Sequence, residues 1–119
     1  MRKRINVGIG GTDDALDRFE RAWRRAARGL KQPAEVRLSF VDLPTLLSNL
    51  TPARWTLLEA VKRSGPLSIN DLSRRLGRNY KNVHTDATRL IELGLIERRS
   101  DQRITVAWGI VAAEMRLAA

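Results

Sequence analysis

The sequence predicts an α+β fold: a three-helix unit closed by a basic hairpin and preceded by a small βαβ-like extension. Three observations carry this. From Leu67 to Ile104, LSINDLSRRLGRNYKNVHTDATRLIELGLIERRSDQRI, apolar residues recur at helical spacing in two blocks split by a turn at Gly77. Beyond Gly94 the pattern changes to short arginine-rich segments. Upstream, Ile5, Val7 and Ile9, and again Val36, Leu38 and Phe40, alternate with polar or small residues as half-buried strands do.

Residues 1–50 open with the first of those strands, after which Thr12 caps a helix. Asp13, Asp14 and Asp17 lie at its start and Arg24, Arg25 and Arg28 at its end, matching the helix dipole. Asp14–Arg18, Asp17–Arg21 and Glu20–Arg24 are i,i+4 pairs, and Gly29 stops the helix. Its apolar stripe of Leu16, Phe19, Trp23, Ala26 and Ala27 needs a surface to bury against, while its arginine face is either solvated or a second basic surface. After the second strand, Asp42 caps a short helix through Leu47. Two strands alone make a marginal sheet in water, so a second copy of the chain or another protein is expected to complete it.

Residues 51–109 begin with Thr51 as N-cap and Pro52 at the first helical position, where its missing N–H does no harm. A helix to about Arg63 buries Trp55, Leu57, Leu58 and Val61, and Gly65-Pro66 stops it. Ser68 and Asp71 resemble a capping box for a two-turn helix whose stripe is Ile69, Leu72 and Leu76. A third helix, Tyr80 to Leu93, buries Val83, Ala87 and Leu90, with Ile91 at the edge of that face and Gly94 as the stop. Leu95 to Arg99 and Ile104 to Trp108 are expected to pair as strands with Ser100 to Arg103 at the tip. This is the layout of a winged helix-turn-helix. Residues 110–119, short and rich in alanine, are expected to be helical, with Met115 and Leu117 available to an interface or to their own domain.

Composition narrows the partner. The 119 residues, 43% hydrophobic, suffice for one modest core, and 22 Lys and Arg against 13 Asp and Glu give +9, which favours a polyanion. Residues 1–50 carry +4 and residues 51–109 carry +5, so neither region is a mere basic tail. Cysteine is absent, which removes a disulfide framework and thiolate metal sites. No apolar run spans a membrane and the start MRKRINVGIGG is no signal peptide, so a cytoplasmic protein is expected.

The outer face of the third helix then supplies the candidate site. An α-helix fits the major groove of DNA, where amide, hydroxyl and cationic side chains near its N-terminus reach base edges. Lys81, Asn82 and Thr85 are the expected base readers, with Thr88 on the same face and Tyr80 and His84 on its flank. Arg78 at the turn, Arg89 on the helix and Arg98, Arg99 and Arg103 in the hairpin are expected to hold phosphates. The bland alternative is a solvated helix face and strand-edge arginines that discourage aggregation. His84 is the only histidine and has no cysteine or carboxylate cluster near it in sequence, so neither metal nor other cofactor is expected. The run Gly8 to Gly11 precedes a helix but fits neither G-x-G-x-x-G nor a Walker motif, and a flexible strand-to-helix turn accounts for it. No nucleophile and base pair stands out, so catalysis is not expected. With three Trp, one Tyr and two Phe and no clustered stacking platform, RNA is a weaker candidate than duplex DNA. The competing class is a protein-interaction module with an acidic partner.

The stretch LTPARWTLLEAVKRSGPLSINDLSRRLGRNYKNVHTDATRLIELGLIER resembles the winged-helix core of MarR-like predicted transcriptional regulators, most closely a subgroup sharing the LTPxRxxLL opening, LSIxxLxRRLGR and YKNVHxD. A weaker likeness through RLSFVDLPTLLSNL extends it over residues 36–109. The resemblance implies a sequence-specific bacterial or archaeal regulator, with Arg78, Asn79, Tyr80, Lys81, Asn82 and Thr85 in the recognition role; a homodimer on double-stranded DNA is expected separately, from the strands that lack partners and from the two-fold symmetry of such DNA readers. The resemblance further implies an antitoxin-like protein that represses its own operon and binds a toxin protein, here through the N-terminal region. MarR proteins carry long dimerisation helices at both ends, which this chain lacks, so no small-molecule effector is expected.

Overall fold

The computed structural model describes residues 3–10, 12–29, 36–115 and 117, with the backbone alone for 12–15, 17, 18 and 25. The chain is α+β, in the order β1 (Arg4–Ile9), α1 (Thr12–Ala27), β2 (Val36–Phe40), α2 (Leu43–Asn49), α3 (Pro52–Ser64), α4 (Ile69–Leu76), α5 (Tyr80–Glu92), β3 (Glu97–Arg98), β4 (Ile104–Thr105) and β5 (Ile110–Glu114). Two compact units result, one from residues 4–46 with 110–119, the other from 1–3 with 47–109.

The first unit is built on a parallel sheet in the order β2-β1-β5. The alternation in β1 puts Ile5 and Val7 inside, opposite Val36 and Leu38 of β2 and Val111 and Ala113 of β5. Parallel strands need a crossover, and α1 provides it between β1 and β2. Gly8 admits the neighbouring strand, since a Cβ there would lie 2.9 Å from the Glu114 carbonyl oxygen. That close approach is a packing reason for the first glycine of the Gly8 to Gly11 run. Asp42 caps α2 as expected, its Oδ1 accepting the Thr45 N–H at 2.8 Å.

β5 corrects two expectations. Residues 110–114 are a strand and not the start of a helix, and they give β1 its second partner within the same chain. The ten residues 110–119 are too few to hold a helix by propensity alone, whereas Ile110 and Val111 are β-branched and the open edge of β1 offers a ladder of hydrogen bonds. The segment therefore joins the first unit and is not a separate C-terminal piece. Met115 and Leu117 are both exposed. The stripe of α1 is exposed too: Leu16 is 60%, Phe19 68% and Trp23 68% accessible. Of its three expected ion pairs Glu20–Arg24 is formed at 2.7 Å, while Asp14–Arg18 and Asp17–Arg21 rest on side chains outside the described residues.

The second unit buries Leu57 and Val61 of α3, Leu72 of α4, Val83, Ala87 and Leu90 of α5, and Leu95, Ile96 and Ile104 beyond it, each at 1% accessibility or less. Local chemistry marks the helix ends. Thr51 Oγ1 accepts the Arg54 N–H, Ser68 Oγ accepts the Asp71 N–H, and Gly77 ends α4 at φ 61°, the left-handed region that glycine enters without strain. Gly65 closes α3 where a Cβ would stand 2.6 Å from the Val61 carbonyl oxygen and 3.2 Å from that of Ile104. β3 and β4 pair antiparallel, and Leu67 bridges the other side of β4 through two hydrogen bonds with Ile104.

The hairpin strands are shorter than the alternation suggests. Leu95 and Ile96 both give their N–H to the Leu90 carbonyl, closing α5, so the ladder begins only at Glu97. On the other side the Val106 carbonyl accepts from Lys62 Nζ, and Trp108 turns its indole N–H to the Gly94 carbonyl at 2.9 Å.

Candidate functional site

Because Val83, Ala87 and Leu90 face inward, the periodicity of α5 turns Tyr80, Lys81, Asn82, His84 and Thr85 outward, all exposed. The Lys81 ammonium and the Asn82 amide have no side-chain partner among the described residues. Thr85 Oγ1 donates to the Lys81 carbonyl at 3.0 Å and keeps its lone pairs toward solvent. The rings of Tyr80 and His84, one turn apart, lie 5.8 Å from each other. The first two turns of α5 thus present a cation, two-way hydrogen-bonding groups and an aromatic edge within one patch.

Asn79 has a structural role at the start of the helix. Its Oδ1 accepts the backbone N–H of Lys81 at 2.8 Å and of Asn82 at 3.4 Å, so it is the N-cap that starts α5 where those two side chains stand. Asn79→Ala is expected to cost about 1 kcal/mol of stability by urea unfolding, while Asn79→Asp, which keeps the acceptor, stays close to wild type.

Arg78 and Arg89 also do internal work. Arg78 Nη2 bonds Asp86 Oδ2 at 2.7 Å, and Arg54 Nε bonds Asp86 Oδ1 at 3.0 Å, so one carboxylate holds α5 to α3 and to the turn before it. Arg54 Nη1 continues to the Asn49 carbonyl at 2.8 Å, and Arg89 Nε bonds Asn49 Oδ1 at 2.6 Å while its Nη1 pairs with Glu92. Arg78 and Arg89, expected at phosphates, are thus tied into the scaffold through these bonds. Burial alone would raise the Asp86 pKa; hydrogen bonds and charge from Arg78 and Arg54 outweigh it and hold the carboxyl below its ordinary value. Asp86, Arg54 and Asn49 are the residues that sequence reasoning missed. The one signal was a lone carboxylate in the first three turns of an otherwise uncharged or cationic helix.

Arg54, His84, Thr85, Thr88 and Arg89 line an open depression of about 500 Å³ beside this face, together with Asn49. The Thr88 hydroxyl is buried there without a partner among the described residues.

In the hairpin, Arg98 is exposed and carries no ion pair among the described residues. Arg99 and Arg103 share Asp101 at 3.6 and 2.9 Å. Bonds from the Arg103 N–H and guanidinium, with the charge of both arginines, hold Asp101 below its usual carboxylate range. The tip is therefore less positive than three arginines alone would make it.

The second unit is, by its geometry, a compact helical domain with a cationic, hydrogen-bonding helix face and an arginine hairpin. The profile of the HVO_A0114 family matches residues 49–113, more than half of the chain, and the chain belongs to that family. The match spans α3 through most of β5 and so includes every candidate residue of the face and the hairpin. No curated protein matches the sequence. Among the described residues, no helix is long and apolar enough to cross a membrane.

Proposed function

We propose that the chain is a MarR-like winged-helix regulator that binds double-stranded DNA as a homodimer and represses its own promoter by occupying it. The observation that carries this reading is the outer face of α5, where Lys81 and Asn82 stand exposed and uncommitted immediately after the capped turn. The N-terminal end of such a helix enters the major groove, where Lys81 donates to guanine acceptors and Asn82 to adenine, with Thr85 beside them. Tyr80 packs at the flank, and Arg98, Arg99 and Arg103 reach the phosphates from the hairpin. The net charge of +9 draws the dimer to DNA. The narrower reading, an antitoxin whose N-terminal region holds a toxin, rests on the resemblance alone.

Binding to the chain's own upstream promoter fragment and to a scrambled duplex, from about 50 to 200 mM salt, tests this. Preference for the promoter that persists at the higher salt is the expected result. Equal and salt-labile binding to both duplexes contradicts sequence-specific regulation, and no binding at either salt transfers the reading to a protein-interaction module.

A further inference from the structure

The apolar stripe of α1 lies open among the described residues. Leu16, Phe19 and Trp23, with Ala26, follow a 3-4-3 spacing along one face, and the three large side chains are 60 to 68% exposed. Phe19, Glu20 and Trp23 line an open groove of about 350 Å³. Contiguous aromatic surface of this kind on a helix is an interaction face, and the spacing is that of a two-helix seam.

The charge pattern of the same helix selects the occupant. In sequence, Asp13, Asp14, Asp17 and Glu20 precede Arg21, Arg24, Arg25 and Arg28, with Arg18 the one basic residue in the first half. A second copy laid parallel sets acid beside acid and arginine beside arginine. Laid antiparallel, the same copy sets each acidic half against an arginine half and opposes the two helix dipoles. The apolar stripe is symmetric under that reversal, because Phe19 then meets Trp23 and Leu16 meets Ala26. We propose that α1 is the homodimerisation element, pairing antiparallel with α1 of a second copy through Leu16, Phe19 and Trp23. This stands whether or not DNA is the ligand of α5.

Sedimentation equilibrium of the full chain tests the surface. Wild type is expected to be a dimer, and the Phe19→Ser/Trp23→Ser variant, which removes both aromatic anchors, is expected to raise the dimer Kd about 100-fold or more. Both side chains lie outside the core, so the variant keeps its far-ultraviolet circular dichroism. The chain has no cysteine, so single cysteines report the direction of pairing. Ala22→Cys, near the midpoint, is expected to cross-link to itself. Ala26→Cys is expected to cross-link to Leu16→Cys in a mixture and not to itself. A monomeric wild type, a dimer indifferent to Phe19 and Trp23, or self-cross-linking at Ala26 as efficient as at Ala22 overturns the proposal.

Discussion

Asp86→Ala is expected to destabilise the second unit by about 2 to 3 kcal/mol and to lower its thermal midpoint by roughly 10 °C. The Asp86 and Arg54 side chains are each 15% exposed and Arg78 is 30% exposed, so the carboxylate is the counter-charge for two guanidinium groups with little water around them. Removing it leaves two cations facing one another across the joint between α3 and α5. The cost stays below that of a fully buried pair because Arg78 can turn toward solvent. Asp86→Asn, which keeps an acceptor but not the charge, should fall between wild type and alanine. Urea unfolding followed by fluorescence of Trp55 and Trp108 measures all three. A loss below about 0.5 kcal/mol for alanine, the range of an ordinary surface substitution, would mean that the triad does not hold the helices together.

The same triad sets a pH dependence with a definite sign. The folded Asp86 pKa lies below its ordinary value, so the unfolded chain takes up a proton here more readily than the folded chain. The stabilisation is complete above the unfolded pKa of about 4 and disappears as pH falls through the lower folded value. The gap between wild type and Asp86→Asn is therefore expected to be flat from neutral pH to about 5 and to shrink in stronger acid. A gap that instead widens in acid would show that the carboxylate is not held by the two arginines.

What could be read in advance follows the range of the interactions. Thr51-Pro52, Ser68 with Asp71, Gly77 and Gly94 mark helix ends by contacts within four residues, and the structure has those ends. The inward stripe Val83, Ala87, Leu90 follows from periodicity alone, and with it the outward placement of Lys81, Asn82 and Thr85. β5 was not legible because its strand character comes from the edge of β1, more than 100 residues earlier in the chain. Nor was Asp86, whose partner Arg54 is 32 residues away and looks like any surface arginine in sequence. Asn79 is a different case: an asparagine directly before a periodic segment is itself an N-cap signal, legible from the sequence. Three arginines in a hairpin suggest a strongly basic tip, but Asp101 lies between them and its bonds show only in three dimensions.

Under the DNA-binding reading, the face and the hairpin should separate cleanly in binding experiments. Lys81→Ala and Asn82→Ala are each expected to weaken binding to the promoter by about 1 to 3 kcal/mol, some 5- to 150-fold, with binding to scrambled DNA little changed. Each should relax discrimination at one base position of a half-site, since an exposed side chain at the start of α5 can reach only one or two base pairs. Arg98→Ala is expected instead to weaken all duplexes alike and to lower the salt slope by about 1. Arg99→Ala should act in the same direction but less, because Asp101 already draws on that charge. The informative variant is Asp101→Asn. It keeps an acceptor for the Arg103 N–H, which lies 3.1 Å from Oδ1, and removes the negative charge between Arg99 and Arg103. If the tip rests on phosphates, this single substitution tightens binding to promoter and scrambled DNA together and steepens the salt dependence. Unchanged affinity would place the hairpin away from the backbone and leave α5 as the whole of the contact.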